Sequence, residues 1–153
     1  MAAMDGQSTT GRVLLEQGAE VNAKGKKNSR PLHRALNEGF ARVLLEFGAD
    51  INSRDHYGRT PLHEVLEDGS TGVALFLLKN GANANARDCR KLTPLHMASR
   101  RGYLDVVRLL LLRGANVNQR DGQGQTPFEV AYAEGHHDVM ELLLEHGARI
   151  PGM

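Results

Sequence analysis

The chain has 153 residues, with 19 lysines and arginines against 18 aspartates and glutamates, so its formal net charge is +1. That near balance excludes a polybasic nucleic-acid-binding chain or an acidic tail as the global description, while 41% hydrophobic residues supply one core or a few short stacked units. The longest apolar run, Val73 to Leu78, is far too short for a membrane span, the opening MAAMDGQSTTG has no apolar secretory stretch, and Cys89 has no internal disulfide partner, so a cytoplasmic and/or nuclear protein is expected.

Taken in chain order, residues 1–10 read as a flexible tail. Residues 11–29 contain the apolar helix Val13-Leu14-Leu15-Glu16-Gln17 closed by Gly18-Ala19, with no helix before it, and so form half of a unit. Residues 30–59 open on Arg30-Pro31-Leu32-His33, residues 60–92 on Thr60-Pro61-Leu62-His63, residues 93–125 on Thr93-Pro94-Leu95-His96, and residues 126–150 on Thr126-Pro127-Phe128-Glu129. The offsets are 30, 33 and 33 residues. Gly-Ala pairs at 18, 48, 81, 114 and 147, and asparagines at 22, 52, 85 and 118, keep the same register. Residues 126–150 lack a following hairpin, and 151–153 form a short tail.

Within 93–125 the local chemistry is explicit. Thr93 suits an N-cap and Pro94 the first helical position, where its missing N–H costs nothing. Gly102 ends the first helix, and Asp105 to Leu112 forms a second with Val106, Val107, Leu109 and Leu110 on its buried side. The stretch from Asn118 to Gln125 is polar, with Asp121 and Gly124 at turn positions. A unit of this size cannot bury its own apolar faces and must stack on copies of itself.

The pattern TPLH, mid-unit Gly, Leu-rich second helix, GA-x-x-N and D-x-x-G resembles the ankyrin repeat over about residues 11–150. The resemblance implies an all-α solenoid with projecting β-hairpin loops and inner helices lining a concave face. It also implies a non-enzymatic interaction module.

Several departures carry expectations. Three residues are missing between Gly39 and Gly48, which corresponds to about 300° of helix rotation, so the second helix of 30–59 is expected to be short and 38–48 to be the softest interior segment. The hairpin glycine is replaced by Asn28 and by Lys91, and lysine tolerates positive φ poorly. The last unit keeps Val139, Met140, Leu142, Leu143 and Leu144 without a polar outer face, as expected for a segment of a longer array. Leu75 and Leu112 stand where sister units carry charge.

His33, His63 and His96 recur with the repeat. Layers about 10 Å apart are too wide to share one zinc ion, so these imidazoles are expected to hydrogen-bond hairpin backbone; no metal and no cofactor is expected. No nucleophile–base arrangement or phosphate-binding glycine loop stands out.

What the resemblance implies about binding falls on the hairpin tips and the first helices. The tip positions are Lys24, Lys26, Lys27, Ser29, Arg54, His56, Tyr57, Arg59, Arg87, Cys89, Arg90, Leu92, Arg120, Gly122, Gln123 and Gln125, of which eight are basic and none acidic. The inner-helix positions are Asn37, Glu38, Glu67, Asp68, Arg100, Arg101, Ala133 and Glu134. Together these carry ten basic and four acidic residues in a nearly neutral chain. The expected partner is an acidic protein segment bound by a monomer, with Tyr57, Leu92 and Met97 as apolar anchors. Nucleic acid is the rival, opposed by scarce aromatics and by Glu67 and Asp68. A further resemblance, carried by four repeats, one shortened helix and Gly69-Ser70, is to the ankyrin-type inhibitors of cyclin-dependent kinases. The asparagines with leucine eight residues earlier (Leu14, Leu44, Leu77, Leu110) permit asparaginyl hydroxylation, against a plain role in bonding the hairpin backbone.

Overall fold

Where Thr-Pro begins a segment, a helix begins with proline as its first residue. In the computed structural model, which describes residues 6–150 and Gly152, three such helices are Pro61–Asp68, Pro94–Arg101 and Pro127–Glu134. Each has eight residues and stops at a left-handed glycine, Gly69, Gly102 or Gly135. Each is followed by a nine-residue helix that ends before a Gly-Ala pair. There the alanine N–H returns to a carbonyl five residues back, as in Ala82 to Leu77, Ala115 to Leu110 and Ala148 to Leu143. In chain order the helices are α1 (Gly6–Glu16), α2 (Glu38–Glu46), α3 (Pro61–Asp68), α4 (Thr71–Lys79), α5 (Pro94–Arg101), α6 (Leu104–Leu112), α7 (Pro127–Glu134) and α8 (His137–Glu145). No β-strand forms among the described residues. The projecting segments are loops closed by pairs of backbone bonds, such as Asp88 N–H to Leu92 O with Lys91 N–H to Asp88 O, or Asp121 N–H to Gln125 O with Gly124 N–H to Asp121 O.

Contacts divide the chain into two compact units, Met1–Ala82 and Asn83–Met153. In the first, α1 packs on α2, α2 on α4, and α3 on α4. Its core is Leu32, Ala41, Val43, Leu44, Leu62, Val65, Leu66, Val73, Leu77 and Leu78. In the second, α5 packs on α7, and the outer helices α6 and α8 pack on each other and on their own first helices. Leu95, Ala98, Val106, Val107, Leu110, Val130, Ala131, Val139, Leu142 and Leu143 fill that core. Thus three of the five apolar residues in the last helix are buried inside the unit.

The three-residue deletion falls elsewhere than the spacing suggested. Helix α2 has nine residues, as many as α4, α6 and α8, so the second helix of 30–59 is not short. The first helix is: it contracts to a 3-10 turn, Pro31–Arg34, and the chain leaves helical geometry at Ala35. The reason is packing. Helix α2 buries Ala41, Val43 and Leu44 between α1 and α4, and a cut there would rotate that face away. Gly39, which the spacing placed at a helix end, lies in the first turn of α2, close to α1. A Cβ on it would stand 2.9 Å from Ser8 Oγ. Asn37 caps α2 by accepting the Phe40 N–H at 2.7 Å. The segment 38–48 is therefore a capped, packed helix and not a weak point.

Residues 6–10 of the expected tail belong to helix α1, and buried Ser8 donates to Asn37 Oδ1 at 3.2 Å. The remainder of that segment, residues 1–5, lies outside the described residues, as do 151 and 153 of the short C-terminal segment.

Two side-chain ladders stitch the repeats inside each unit. In the first unit, Asn22 donates to Gly48 O at 3.1 Å and accepts the Asp50 N–H at 2.9 Å. In the second, Asn85 spans to Gly114 O and the Asn116 N–H, and Asn118 to Gly147 O and the Arg149 N–H. The histidines form the other ladder. Nδ1 of His96 accepts from the Thr93 N–H and lies 2.8 Å from its hydroxyl, so the proton sits on Nε2, which donates to Gln125 O at 3.0 Å. His33 makes the same pair of bonds, with the Arg30 N–H and with Arg59 O. His33, His63 and His96 are fully buried.

Candidate protein-interaction loops

The loops owe their shape to aspartate. Asp55 Oδ1 accepts the N–H groups of Tyr57 and Arg59, Asp88 those of Arg90 and Leu92, and Asp121 those of Gln123 and Gln125, all at 2.8–2.9 Å. Each carboxylate serves as the internal staple of its loop. Asp88 and Asp121 are buried. The acidic member of the D-x-x-G motif thus points into the loop, and the residues around it point out.

In the first unit, Lys24, Lys26, Lys27, Arg54, His56 and Tyr57 are exposed. The loop at 24–29 meets the loop at 55–59 where the His56 N–H donates to Lys27 O at 2.8 Å. The Lys27 ammonium stands 5.1 Å from the centre of the Tyr57 ring, and His56 meets the same ring edge-on at 5.5 Å. A side-chain hydrogen bond to Tyr57 raises the Lys27 pKa above its ordinary 10.5. Arg59 is less available, since it pairs with Glu64 at 3.2 Å and is mostly covered.

In the second unit, Arg87, Arg90, Arg101, Arg120 and Gln123 are exposed and Arg100 is half-buried. The Gly122 N–H donates to Arg90 O at 2.8 Å and ties these two loops together. Only glycine fits there, because a Cβ would stand 2.6 Å from that carbonyl. Beside this junction lies an open groove of about 500 Å³ lined by Arg90, Lys91, Leu92, Arg100, Asp121 and Gln123. Arg120 is partly engaged, 3.7 Å from Glu129.

Three sequence assignments change. Leu92 and Met97 are 4% and 5% exposed and belong to the core, so neither is an apolar anchor; Tyr57, 41% exposed, is the one that reaches the surface. Asn37 and Glu38 leave the inner-helix set, because they form the cap and first turn of α2, where Glu38 pairs with Arg42 at 2.6 Å. Of the two leucines in charged positions, Leu112 is exposed and Leu75 half-buried.

The chain matches the family described as ankyrin repeats (3 copies) over residues 1–88 and again over 81–151. It belongs to that family. A comparison with curated proteins gives no match. This ankyrin-repeat protein has the all-α solenoid fold class, and such repeats generally serve as protein–protein interaction modules. No helix among its described residues is long and apolar enough to cross a membrane, and no group of three or more His, Cys, Asp or Glu there could hold a metal ion.

Two basic residues of this ankyrin-repeat protein escaped the sequence reading. Arg30 precedes the contracted turn and Arg34 ends it, and both line a second groove, of about 380 Å³, with Lys24 and Lys26. The available signal was Arg30 itself, which replaces the threonine of the three sister tetrapeptides.

Proposed function

We propose that the protein binds an acidic segment of a partner protein through its basic loop tips, without catalysis. The observation that carries this reading is the direction of the loop carboxylates. Asp55, Asp88 and Asp121 each accept two backbone N–H groups, while Lys24, Lys26, Lys27 and Arg54 in one unit and Arg87, Arg90, Lys91 and Arg120 in the other stand exposed around them, Arg90 lying 3.7 Å from Asp88 and Arg120 3.7 Å from Glu129. A peptide rich in glutamate and aspartate complements such surfaces electrostatically, and Tyr57 supplies an aromatic contact in the first unit. The test is fluorescence anisotropy with a labelled acidic peptide against the full chain and its Arg87→Glu/Arg90→Glu variant. The reading predicts at least a tenfold loss for the variant, and unchanged affinity would refute it.

A second reading, a regulator similar to the ankyrin-type inhibitors of cyclin-dependent kinases, is favoured by one observation. The unit at 30–59 does contain a shortened helix, reduced to the turn Pro31–Arg34. Capture of a cyclin-dependent kinase that persists after reversal of the loop charges would favour it.

A further inference from the structure

The groove beside the contracted turn differs from the rest of the loop surface in its chemistry. Lys24, Lys26, Arg30 and Arg34 line about 380 Å³ of open space together with Ser29 and Pro31, and no acidic or aromatic residue is in the lining. Lys24, Lys26 and Arg34 are exposed. Arg30 is held differently: its side chain is 23% exposed, Nη1 lies 3.7 Å from Asp50, and Nε is buried with no hydrogen-bond partner. A buried guanidinium N–H left without an acceptor costs stability, and at this position every sister unit carries threonine, which serves the local helix start. Arginine cannot accept a hydrogen bond, so it serves no capping role there. Arg30 therefore contributes a held cation to the groove wall without serving the helix start.

Four cations around one small space overmatch a single carboxylate, which offers two oxygens and one charge. A phosphate monoester offers three acceptor oxygens and a charge near −2, the demand that two guanidinium groups and two ammonium groups satisfy. With no aromatic face for a base to stack on, a nucleotide chain is poorly served. We infer that the groove formed by Lys24, Lys26, Arg30 and Arg34 binds the phosphate of a phosphorylated serine or threonine in the partner. This rests on the acidic-segment reading for its partner, but not for its chemistry.

The experiment compares an acidic peptide carrying one phosphoserine with its unphosphorylated twin on the full chain. Vesicles containing a phosphoinositide and a single-stranded oligonucleotide are the other two arms. The phosphopeptide should bind at least tenfold more tightly than its twin. Arg30→Thr, which installs the residue the sister units tolerate, and Arg34→Gln, at an exposed position, should each bring that ratio to one, weakening the phosphopeptide far more than its twin. Lys27→Glu, an exposed loop position of the same unit outside the groove lining, should weaken both peptides and preserve the ratio. A ratio of one in the wild type, or a ratio that survives Arg30→Thr, overturns the inference. So does tighter binding of the vesicles or the oligonucleotide than of the phosphopeptide. If neither peptide binds, the acidic-segment reading fails alone, and inorganic phosphate decides the site. NMR shifts at Arg30 and Arg34 that Arg30→Thr removes would support it, and none would overturn it.

Discussion

At the scale of single residues, the repeat positions hold because each makes two bonds at once. His96 accepts through Nδ1 and donates through Nε2, which only the neutral ring can do. Burial lowers its pKa below 6.5, opposed by the bond to Gln125 and the nearby Asp121 charge. The folded value lies below the unfolded one, so the unfolded chain takes up the proton first. The stability that His96 contributes is present above about pH 6.5 and is lost as the pH falls below it. Urea melts between pH 7.5 and 5 should show a falling midpoint for the wild type and a smaller fall for His96→Gln. Lys91 shows the opposite case, a residue at odds with its backbone. Its φ of +60° occupies the place that Gly58 and Gly124 fill at +72° and +82°. Lys91→Gly should stabilise the protein by about 0.5–1 kcal/mol in thermal melts, by relief of left-handed strain less the entropy that glycine adds to the unfolded chain. The same change removes a cation from the groove and should weaken binding of an acidic peptide.

At the scale of elements, the deciding fact is which helix gives way when three residues are lost. A second helix touches its neighbours in both directions, α2 packing on α1 and α4, so its register is fixed from two sides. The first helix of the same unit has fewer obligations and shrinks to one turn that still buries Leu32 and His33. At the end of that turn Arg34 is exposed, where Met97 and Val130 at the matching positions of sister units are buried. The loop junction in the second unit is equally constrained. Gly122→Ala should cost about 1–3 kcal/mol in a denaturant titration, because its methyl would meet a backbone carbonyl that cannot move aside alone. The same substitution at Gly114, where nothing approaches within 4 Å, should cost only the strain of its positive φ.

At the scale of the whole molecule, a net charge of +1 hides a separation of signs. The loop carboxylates of Asp55, Asp88 and Asp121 are turned to backbone N–H groups, while lysines and arginines stand exposed at the loop tips and acids such as Glu67, Glu134, Glu141 and Glu145 stand exposed on the helices. Affinity for an acidic peptide should therefore fall several-fold between 50 and 300 mM salt, since exposed charges are screened over about 10 Å at 0.1 M. A salt-independent affinity would contradict the electrostatic account.

The amino-acid sequence by itself determined the repeat, its period, the helix starts at Thr-Pro, the glycine stops and the basic sign of the loop tips. These depend on neighbours a few residues away, through capping, proline geometry and left-handed glycine. Only tertiary packing decided the rest: that Leu92 and Met97 face the core, that the deletion empties the first helix and not the second, and that Arg30 and Arg34 join Lys24 and Lys26 around one space. Burial on either side of a helix and the meeting of side chains from separate turns depend on what stacks against them, and no local spacing records that.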